Sequence, residues 1–196
     1  MGAQSSGKTL LVISMVFCFL TTLHSFSEDM GTELLSIFQS GPGMVTKRPT
    51  QVDLVHSDDD AVQLELKLDG QKGEFGSKEF DAILETCRNT QGLHKEPLYI
   101  RISSRGLPNQ SFLDLPGLSV DTQHFVDHEQ SLYGLLVDLA KRRNTVIVAV
   151  ETVANVRQEP SNSRVISLLR LVPMFVCEFD LWQEDSYLEC VCALEI

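Results

Sequence analysis

Apolar residues along the chain recur with two different periods, one typical of strands and one typical of helices. Residues 61–68 place apolar side chains at every second position, which predicts a strand with one buried face. Residues 80–87 instead place theirs at helical spacing. By the same reasoning, further strands are predicted at 52–55, 98–102, 111–113 and 145–150, and further helices at 126–143 and 165–169. Strands that alternate with helices indicate an α/β domain.

Two apolar stretches refine this expectation. Residues 145–150 form a continuous run rich in β-branched side chains, which is typical of a strand buried on both faces in a parallel sheet. We therefore expect a central, mostly parallel sheet flanked by helices. Residues 10–20 are apolar almost all round, so a helix there should be buried on every side. Residues 70–77 are rich in Gly and Lys and predict a loop.

The first 26 residues can be interpreted in three ways. Gly2 and Ser6 fit the myristoylation pattern. Lys8 followed by the apolar stretch 10–20 imitates a secretory signal, although no clean small-x-small cleavage site follows and the stretch is too short to span a bilayer. Residues 2–9, GAQSSGKT, match the Walker pattern of a phosphate-binding loop. This segment alone leaves a phosphate-binding loop and a signal peptide both open.

The net charge of the chain limits the kinds of molecule that it is expected to bind. The 196 residues carry a net charge of −11, which argues against general nucleic-acid binding because that depends on a basic surface. A bound nucleotide remains compatible with this charge, since backbone amides and a metal ion can neutralise its phosphates locally. The five cysteines are scattered and odd in number, which predicts reduced thiols rather than a disulfide framework.

Three separated elements together suit phosphoryl transfer, which needs positioning and charge neutralisation. In the Walker segment, the glycines let backbone amides point at phosphates, Lys8 would reach the terminal phosphates, and the Thr9 hydroxyl would bind Mg²⁺. Thr46 could hold the metal or the attacking water from a mobile loop. Asp114 and Gly117, in DLPG, could hold the water shell of magnesium and sense the γ-phosphate. Taken singly, Thr46 is an ordinary loop residue and DLPG an ordinary turn; their ordered occurrence favours the functional interpretation.

The segments GAQSSGKT, VTKRP and FLDLPGL resemble the nucleotide-binding motifs of the dynamin superfamily of large GTPases. The likeness covers residues 2–9 and about 41–173. It implies a P-loop NTPase-like fold, incomplete at both ends, with GTP as substrate, Mg²⁺ as cofactor and a monovalent cation beside the phosphates. The function it implies is GTP hydrolysis coupled to membrane remodelling. The partners it implies are GTP, further copies of the chain, membranes and microtubules. Nucleic acid is not expected as a partner because of the negative net charge.

The resemblance also implies roles for individual residues. Gln4 and Ser5 would position the hydrolytic water and the monovalent cation, and Thr46 would position that water through its main chain. The implied nucleotide-binding residues are Gly2, Ser5, Ser6, Gly7, Lys8, Thr9, Asp114 and Gly117. The implied metal site consists of Thr9, Thr46 and Asp114.

The chain also departs from the family pattern. No strand precedes the Walker segment, and 38 residues separate Lys8 from Thr46, more than is usual in the family. We hypothesise that about residues 12–33 are an insertion or a gene-model artefact such as a retained intron. No T-K-x-D motif follows residue 173, so guanine specificity rests on resemblance. Residues 1–173 are thus predicted to form a partial GTPase domain, and residues 174–196 a divergent tail.

Other functions remain open at this point. A catalytically inactive fragment or an interaction module could retain the same motifs. We expect a cytoplasmic protein, peripheral at membranes, whereas residues 1–26 acting as a signal would make it secreted or membrane-anchored.

Overall fold

The architecture is that of a computed structural model, which describes residues 8–38, 48–89, 94, 96–116, 134, 138, 146–152 and 189–194. The chain divides into two compact units, residues 9–116 and residues 1–8 with 117–196. The helices are α1 (Lys8–Leu20), α2 (Glu28–Ile37) and α3 (Lys78–Arg88). The strands are β1 (Thr50–His56), β2 (Gln63–Leu68), β3 (Gln71–Glu74), β4 (Leu98–Ser104), β5 (Gln110–Asp114), β6 (Ile147–Thr152) and β7 (Glu189–Leu194).

The unit of residues 9–116 is built on a five-stranded sheet of order β3-β2-β4-β1-β5. Within it, β1 and β4 pair in parallel, while the other three neighbouring pairs are antiparallel. The expectation of a mostly parallel sheet is therefore wrong for this sheet, which is mixed. The reason is the length of the connections, because a parallel return needs a crossover of a dozen or more residues. Between β2 and β3 there are only two residues, and between β4 and β5 only residues 105–109.

The turn between β2 and β3 shows how local sequence dictates pairing. Asp69 and Gly70 both have positive φ angles, +49° and +81°, as the tight hairpin turns that match strand twist require. Residues 71–74, expected to be loop, continue the hairpin as β3. The sequence pattern did not indicate this short edge strand because its one buried residue is Gly73, which has no side chain to mark a buried face.

The core of this unit lies between one face of the sheet and the three helices. Its fully buried members, each at most 1% exposed, include Val16, Leu20, Leu34, Val52, Leu54, Leu66, Phe80, Ile83, Ile100 and Ile102. The helix predicted at 80–87 and the strands predicted at 52–55, 61–68, 98–102 and 111–113 are confirmed, with bounds that differ by a few residues. Burial of these apolar side chains contributes about 1.5–3 kcal/mol each to folding.

Helix α1 corrects one expectation. Val16 and Leu20 are completely buried, but Leu10 is 65% exposed, so the helix buries one side rather than its whole circumference. A helix that lies on a sheet can press only one face against it. Val16 and Leu20 nevertheless belong to the core, so residues 12–33 pack as part of this unit. Whether the segment is an insertion stays a prediction.

The two following helices begin at well-formed caps. Ser27 accepts a hydrogen bond from the amide of Met30 (3.2 Å), and Ser77 accepts one from the amide of Phe80 (3.1 Å). Acidic residues occupy the first turn of both helices, where they complement the positive end of the helix dipole. These caps explain why helix α2 starts at Glu28, directly after Ser27.

In the other unit, β6 and β7 form an antiparallel pair in which Ile147 lies opposite Leu194 and Thr152 opposite Glu189. The strand predicted at 145–150 is thus confirmed, and part of the predicted tail pairs with it. Gly134 and Asp138 are helical. The rest of the helix predicted at 126–143, and the one at 165–169, lie outside the described residues. Within the described part of the chain, no helix has both the length and the apolar character needed to cross a membrane.

Candidate functional site

Two residues from the proposed nucleotide motifs meet in the unit of residues 9–116. The hydroxyl of Thr9 donates a hydrogen bond of 2.7 Å to Oδ2 of Asp114, across 105 positions of sequence. Thr9 lies in the first turn of α1, and Asp114 is the last residue of β5. The contact therefore joins the last residue of the Walker segment to the first residue of the DLPG motif.

The surroundings of the Asp114 carboxylate favour its negatively charged form. Only 2% of the residue is exposed, and a buried carboxylate needs hydrogen bonds or opposite charge to remain ionised. The N-terminus of α1 provides both a hydroxyl donor and the positive end of a helix dipole. Helix α1 has no acidic residue in its own first turn, so Asp114 supplies from another element the negative charge that such a terminus favours.

Helix α1 contacts β5 at a second place, further along the helix than Thr9. The rings of Phe19 and Phe112 are in contact, with centroids 6.4 Å apart and planes inclined by 44°. Phe112 points to the same face of β5 as Asp114, since the two are separated by one residue. The pairing of Thr9 with Asp114 is thus accompanied by packing of the same two elements.

Strand β1 brings a further residue to this place. Thr50, the first residue of β1, lies directly opposite Asp114 of β5 in the antiparallel register. Thr50 is 7% exposed, and it shares the buried face of β1 with Val52 and Leu54. The sequence analysis did not select Thr50. Its alternation with Val52 and Leu54 marks it as a buried polar residue, and that signal could have revealed it.

The end of the VTKRP motif is attached to β4. Arg48 is 7% exposed and donates from an η nitrogen to the main-chain oxygen of Glu96 (3.3 Å). The amide of Leu98 donates to the main-chain oxygen of Pro49 (2.9 Å). The Nε atom of Arg48 is buried and has no hydrogen-bond partner among the described residues. These contacts fix the chain immediately before Thr50, and so fix the start of β1 beside Asp114.

The donor atoms at the site suit a hard divalent cation. Mg²⁺ binds oxygen ligands at about 2.1 Å in octahedral geometry, so adjacent ligands are about 3 Å apart, close to the observed distance between the Thr9 hydroxyl and Asp114 Oδ2. In the part of the chain that the structure describes, no cluster of three His, Cys, Asp or Glu side chains could hold a metal.

Lys8 is a third predicted site residue that the structure describes. Lys8 is described as the first residue of α1 and is buried, at 7% exposure. The remaining predicted site residues lie outside the described part of the chain, namely Gly2, Gln4, Ser5, Ser6, Gly7, Thr46 and Gly117. The structure thus brings together Thr9 and Asp114 from the predicted set and adds Thr50 beside them.

Comparison with known proteins decides the family. The sequence model of the dynamin family matches residues 33–171, more than two thirds of the chain. This chain belongs to the dynamin family. Membership implies a P-loop NTPase fold, with which the mixed sheet and its helices agree in general terms. The match includes Thr46, Asp114 and Gly117 and begins after the Walker segment, so the contact of Thr9 with Asp114 links that segment to the matched region.

Individual relatives in the dynamin family are moderately similar. The chain is 29% identical over 175 residues to the Dynamin-1-like protein of Danio rerio, covering 79% of this chain and 23% of that protein. It is 28% identical over 188 residues to the Dynamin-1-like protein of Mus musculus, covering 85% and 23%. It is 30% identical over 190 residues to Dynamin-A of Dictyostelium discoideum, covering 87% and 19%. The chain therefore spans less than a quarter of the length of these relatives.

Proposed function

We propose that this chain binds GTP with Mg²⁺ and hydrolyses the nucleotide by direct attack of water, as a dynamin-type GTPase domain. The observation that carries the proposal is the hydrogen bond between Thr9 and Asp114. It joins the threonine of GKT to the aspartate of DLPG, the two groups expected on either side of a nucleotide-bound magnesium ion. Family membership supports the same chemistry.

The residues of the Walker segment bind and orient the phosphates in this proposal. Backbone amides of Gly2, Ser5, Ser6 and Gly7 donate to phosphate oxygens, and Lys8 adds a full positive charge. Thr9 and Asp114 hold the metal, with Thr46 as a third group. The bound magnesium ion supplies charge neutralisation as negative charge shifts on the phosphate oxygens.

The remaining residues would position the nucleophile. Gln4 and Ser5 orient the attacking water and a monovalent cation, and the main chain of Thr46 accepts from the same water. The amide of Gly117 contacts the γ-phosphate and so reports its presence. Such positioning contributes to catalysis because holding water in line with the leaving group removes an entropic cost from the barrier.

We also propose an organisation and a cellular setting for the domain, which family membership supports. We assign residues 1–173 to the GTPase domain and residues 174–196 to a divergent tail, and retain residues 12–33 as a proposed insertion. In its cellular context we propose a cytoplasmic protein that is peripheral at membranes, associates with further copies of itself and takes part in membrane remodelling. Binding to microtubules is part of the same proposal.

The test is Mg²⁺-dependent binding of a fluorescent GTP analogue, followed by phosphate release from GTP. We expect binding to the unaltered chain that is lost on addition of EDTA, competition by GTP, and at least tenfold weaker binding to Asp114→Asn with Mg²⁺ present. Competition by ATP measures the base preference. Ser111→Ala is the matched control, because Ser111 places its hydroxyl against a different carboxylate, that of Asp53, on the other face of β5.

Two results would contradict the proposal. If the unaltered, folded chain does not bind the analogue with Mg²⁺, the motifs are retained in a protein without nucleotide binding, and an interaction module becomes the better interpretation. If binding occurs but phosphate release does not exceed the rate in buffer, the chain is a nucleotide-binding protein and not an enzyme.

A further inference from the structure

Arg48 is a buried charge that has no counter-charge among the described residues. The residue is 7% exposed, and no ion pair in the described part of the chain includes it. One η nitrogen donates to a neutral main-chain oxygen, that of Glu96 (3.3 Å), and the buried Nε atom has no partner there. A buried guanidinium with so few partners stabilises a fold less than an apolar side chain of similar length does. The stability of the fold therefore does not account for this arginine.

The contacts of Arg48 attach the end of the VTKRP segment, residues 45–49, to the sheet. Glu96, which accepts the hydrogen bond from the arginine, precedes β4 by two residues. The amide of Leu98 donates to the main-chain oxygen of Pro49 (2.9 Å). The next residue, Thr50, pairs with β4 on one side and with β5 on the other. The chain is therefore fixed at the point where the VTKRP segment enters β1.

Thr46 precedes this point of attachment by two residues, and in the proposed function its main chain accepts from the attacking water. Two residues of chain reach at most about 7 Å, so fixing Arg48 limits where the main chain of Thr46 can lie. We propose that Arg48 is a positioning residue that acts through Thr46, with its guanidinium group holding the end of the segment that orients the water. This inference rests on the proposed function.

Arg48→Met separates positioning from stability. Methionine keeps an unbranched stem without the charge, and Glu96 is exposed, so water can bond the carbonyl that loses its donor. The melting temperature of the empty protein should therefore fall by no more than about 3 °C. Hydrolysis of bound GTP should slow about tenfold, because a small displacement of the water from its line of attack lowers the rate strongly. Affinity for a non-hydrolysable GTP analogue should stay within about threefold, since the Walker segment contacts the phosphates.

The experiment measures single-turnover GTP hydrolysis with Mg²⁺, affinity for the fluorescent non-hydrolysable analogue, and the melting temperature without nucleotide. Arg48→Lys keeps a charged donor on a stem of similar length, so its rate should recover to within about threefold of the unaltered chain. Arg105→Met is the matched control, because Nε of Arg105 also donates to a main-chain oxygen, that of Asp58 (3.0 Å). Arg105 follows the opposite end of β4, roughly 20 Å along the strand from Leu98. We expect Arg105→Met to leave the rate and the affinity unchanged.

Several results would overturn this inference and leave the proposed function intact. Hydrolysis by Arg48→Met at the unaltered rate would show that the arginine does not position the water. Equal losses of rate and affinity would make Arg48 a nucleotide-binding residue instead. A larger fall in melting temperature, or failure of Arg48→Met to fold, would show that the fold itself requires the arginine. A rate in Arg48→Lys as low as in Arg48→Met would show that a charged donor here is not what matters.

The unaltered chain provides the test of the proposed function. If it binds no analogue, or binds GTP without hydrolysing it, the proposed function and this inference fail together. If it hydrolyses GTP and Arg48→Met does so equally fast, only the inference about Arg48 fails.

Discussion

The hydroxyl of Thr9 stands 2.7 Å from Oδ2 of Asp114, so the first turn of α1 is attached to the last residue of β5. Both ends of the contact are at least partly buried, and the carboxylate is almost completely so. A hydrogen bond to a buried charged group is worth more than one at the surface, because water cannot easily replace the lost partner. The contact should therefore stabilise the empty protein as well as prepare the proposed metal site.

Thr9→Val should lower the free energy of unfolding by about 1.5–3 kcal/mol, since it removes the donor and keeps the branched shape. Urea denaturation of the metal-free protein measures this. Thr32→Val is the control, because its hydroxyl donates to a main-chain oxygen of the exposed surface of α2 and its loss should cost less than about 0.5 kcal/mol. Equal losses in both variants would contradict a special role for the Thr9 contact.

Leu20→Ala should destabilise the protein by about 2–5 kcal/mol, because it removes a completely buried side chain and leaves a cavity. Leu10→Ala, ten residues earlier in the same helix, should change stability by less than about 0.5 kcal/mol, since Leu10 is largely exposed. Thermal or urea unfolding of the two variants side by side checks this. A small effect of Leu20→Ala would show that α1 does not pack on the sheet in solution.

Gly73→Ala should lower stability by about 1–3 kcal/mol through overpacking. A Cβ at this position would lie 2.3 Å from the amide nitrogen of Phe80, and a backbone atom cannot move aside as a flexible side chain can. Gly31→Ala in α2 is the matched substitution, because its Cβ would meet only ring atoms at 3.5 Å or more. Alanine favours helix over glycine, so Gly31→Ala should raise stability by up to about 1 kcal/mol. The order of the two melting temperatures tests the packing of α3 on β3.

The stability of the fold should fall at alkaline pH because of Cys87. Burial raises the pKa of its thiol above the ordinary value of 9.0, while the charge of Arg48 opposes the shift. The folded state therefore holds the proton more tightly than the unfolded state, so this contribution is complete below the unfolded pKa and is lost as pH rises through the folded value. Unfolding free energies measured from pH 8 to pH 10 should fall more steeply for the unaltered protein than for Cys87→Ala. Cys18→Ala, at an exposed position, should keep the steep slope.

Most local elements of this chain could be predicted from periodicity, because burial on a sheet or under a helix imposes the two-residue or 3.6-residue pattern directly. The strand at Gln63–Leu68 and the helix at Lys78–Arg88 are of this kind. Edge strand β3 was not predicted, because its one buried residue is a glycine, Gly73, that lies against the start of α3. The one-sided burial of α1 also escaped prediction, since an apolar helix carries no stripe to show which face meets the core.

The candidate site divides in the same way. The motifs around Thr9, Thr46 and Asp114 could be identified in the sequence, because their residue types and order resemble motifs of the dynamin superfamily. The approach of Thr9 to Asp114, and the position of Thr50 opposite that carboxylate, depend on how α1, β1 and β5 pack. The order and direction of the strands decide those contacts. The sheet is mixed because the connections between β2 and β3 and between β4 and β5 are short, and the side-chain pattern does not show this. The sequence by itself thus determined the family and the candidate side chains. The tertiary structure decided which of those side chains meet, because only long-range packing brings together residues more than a hundred positions apart.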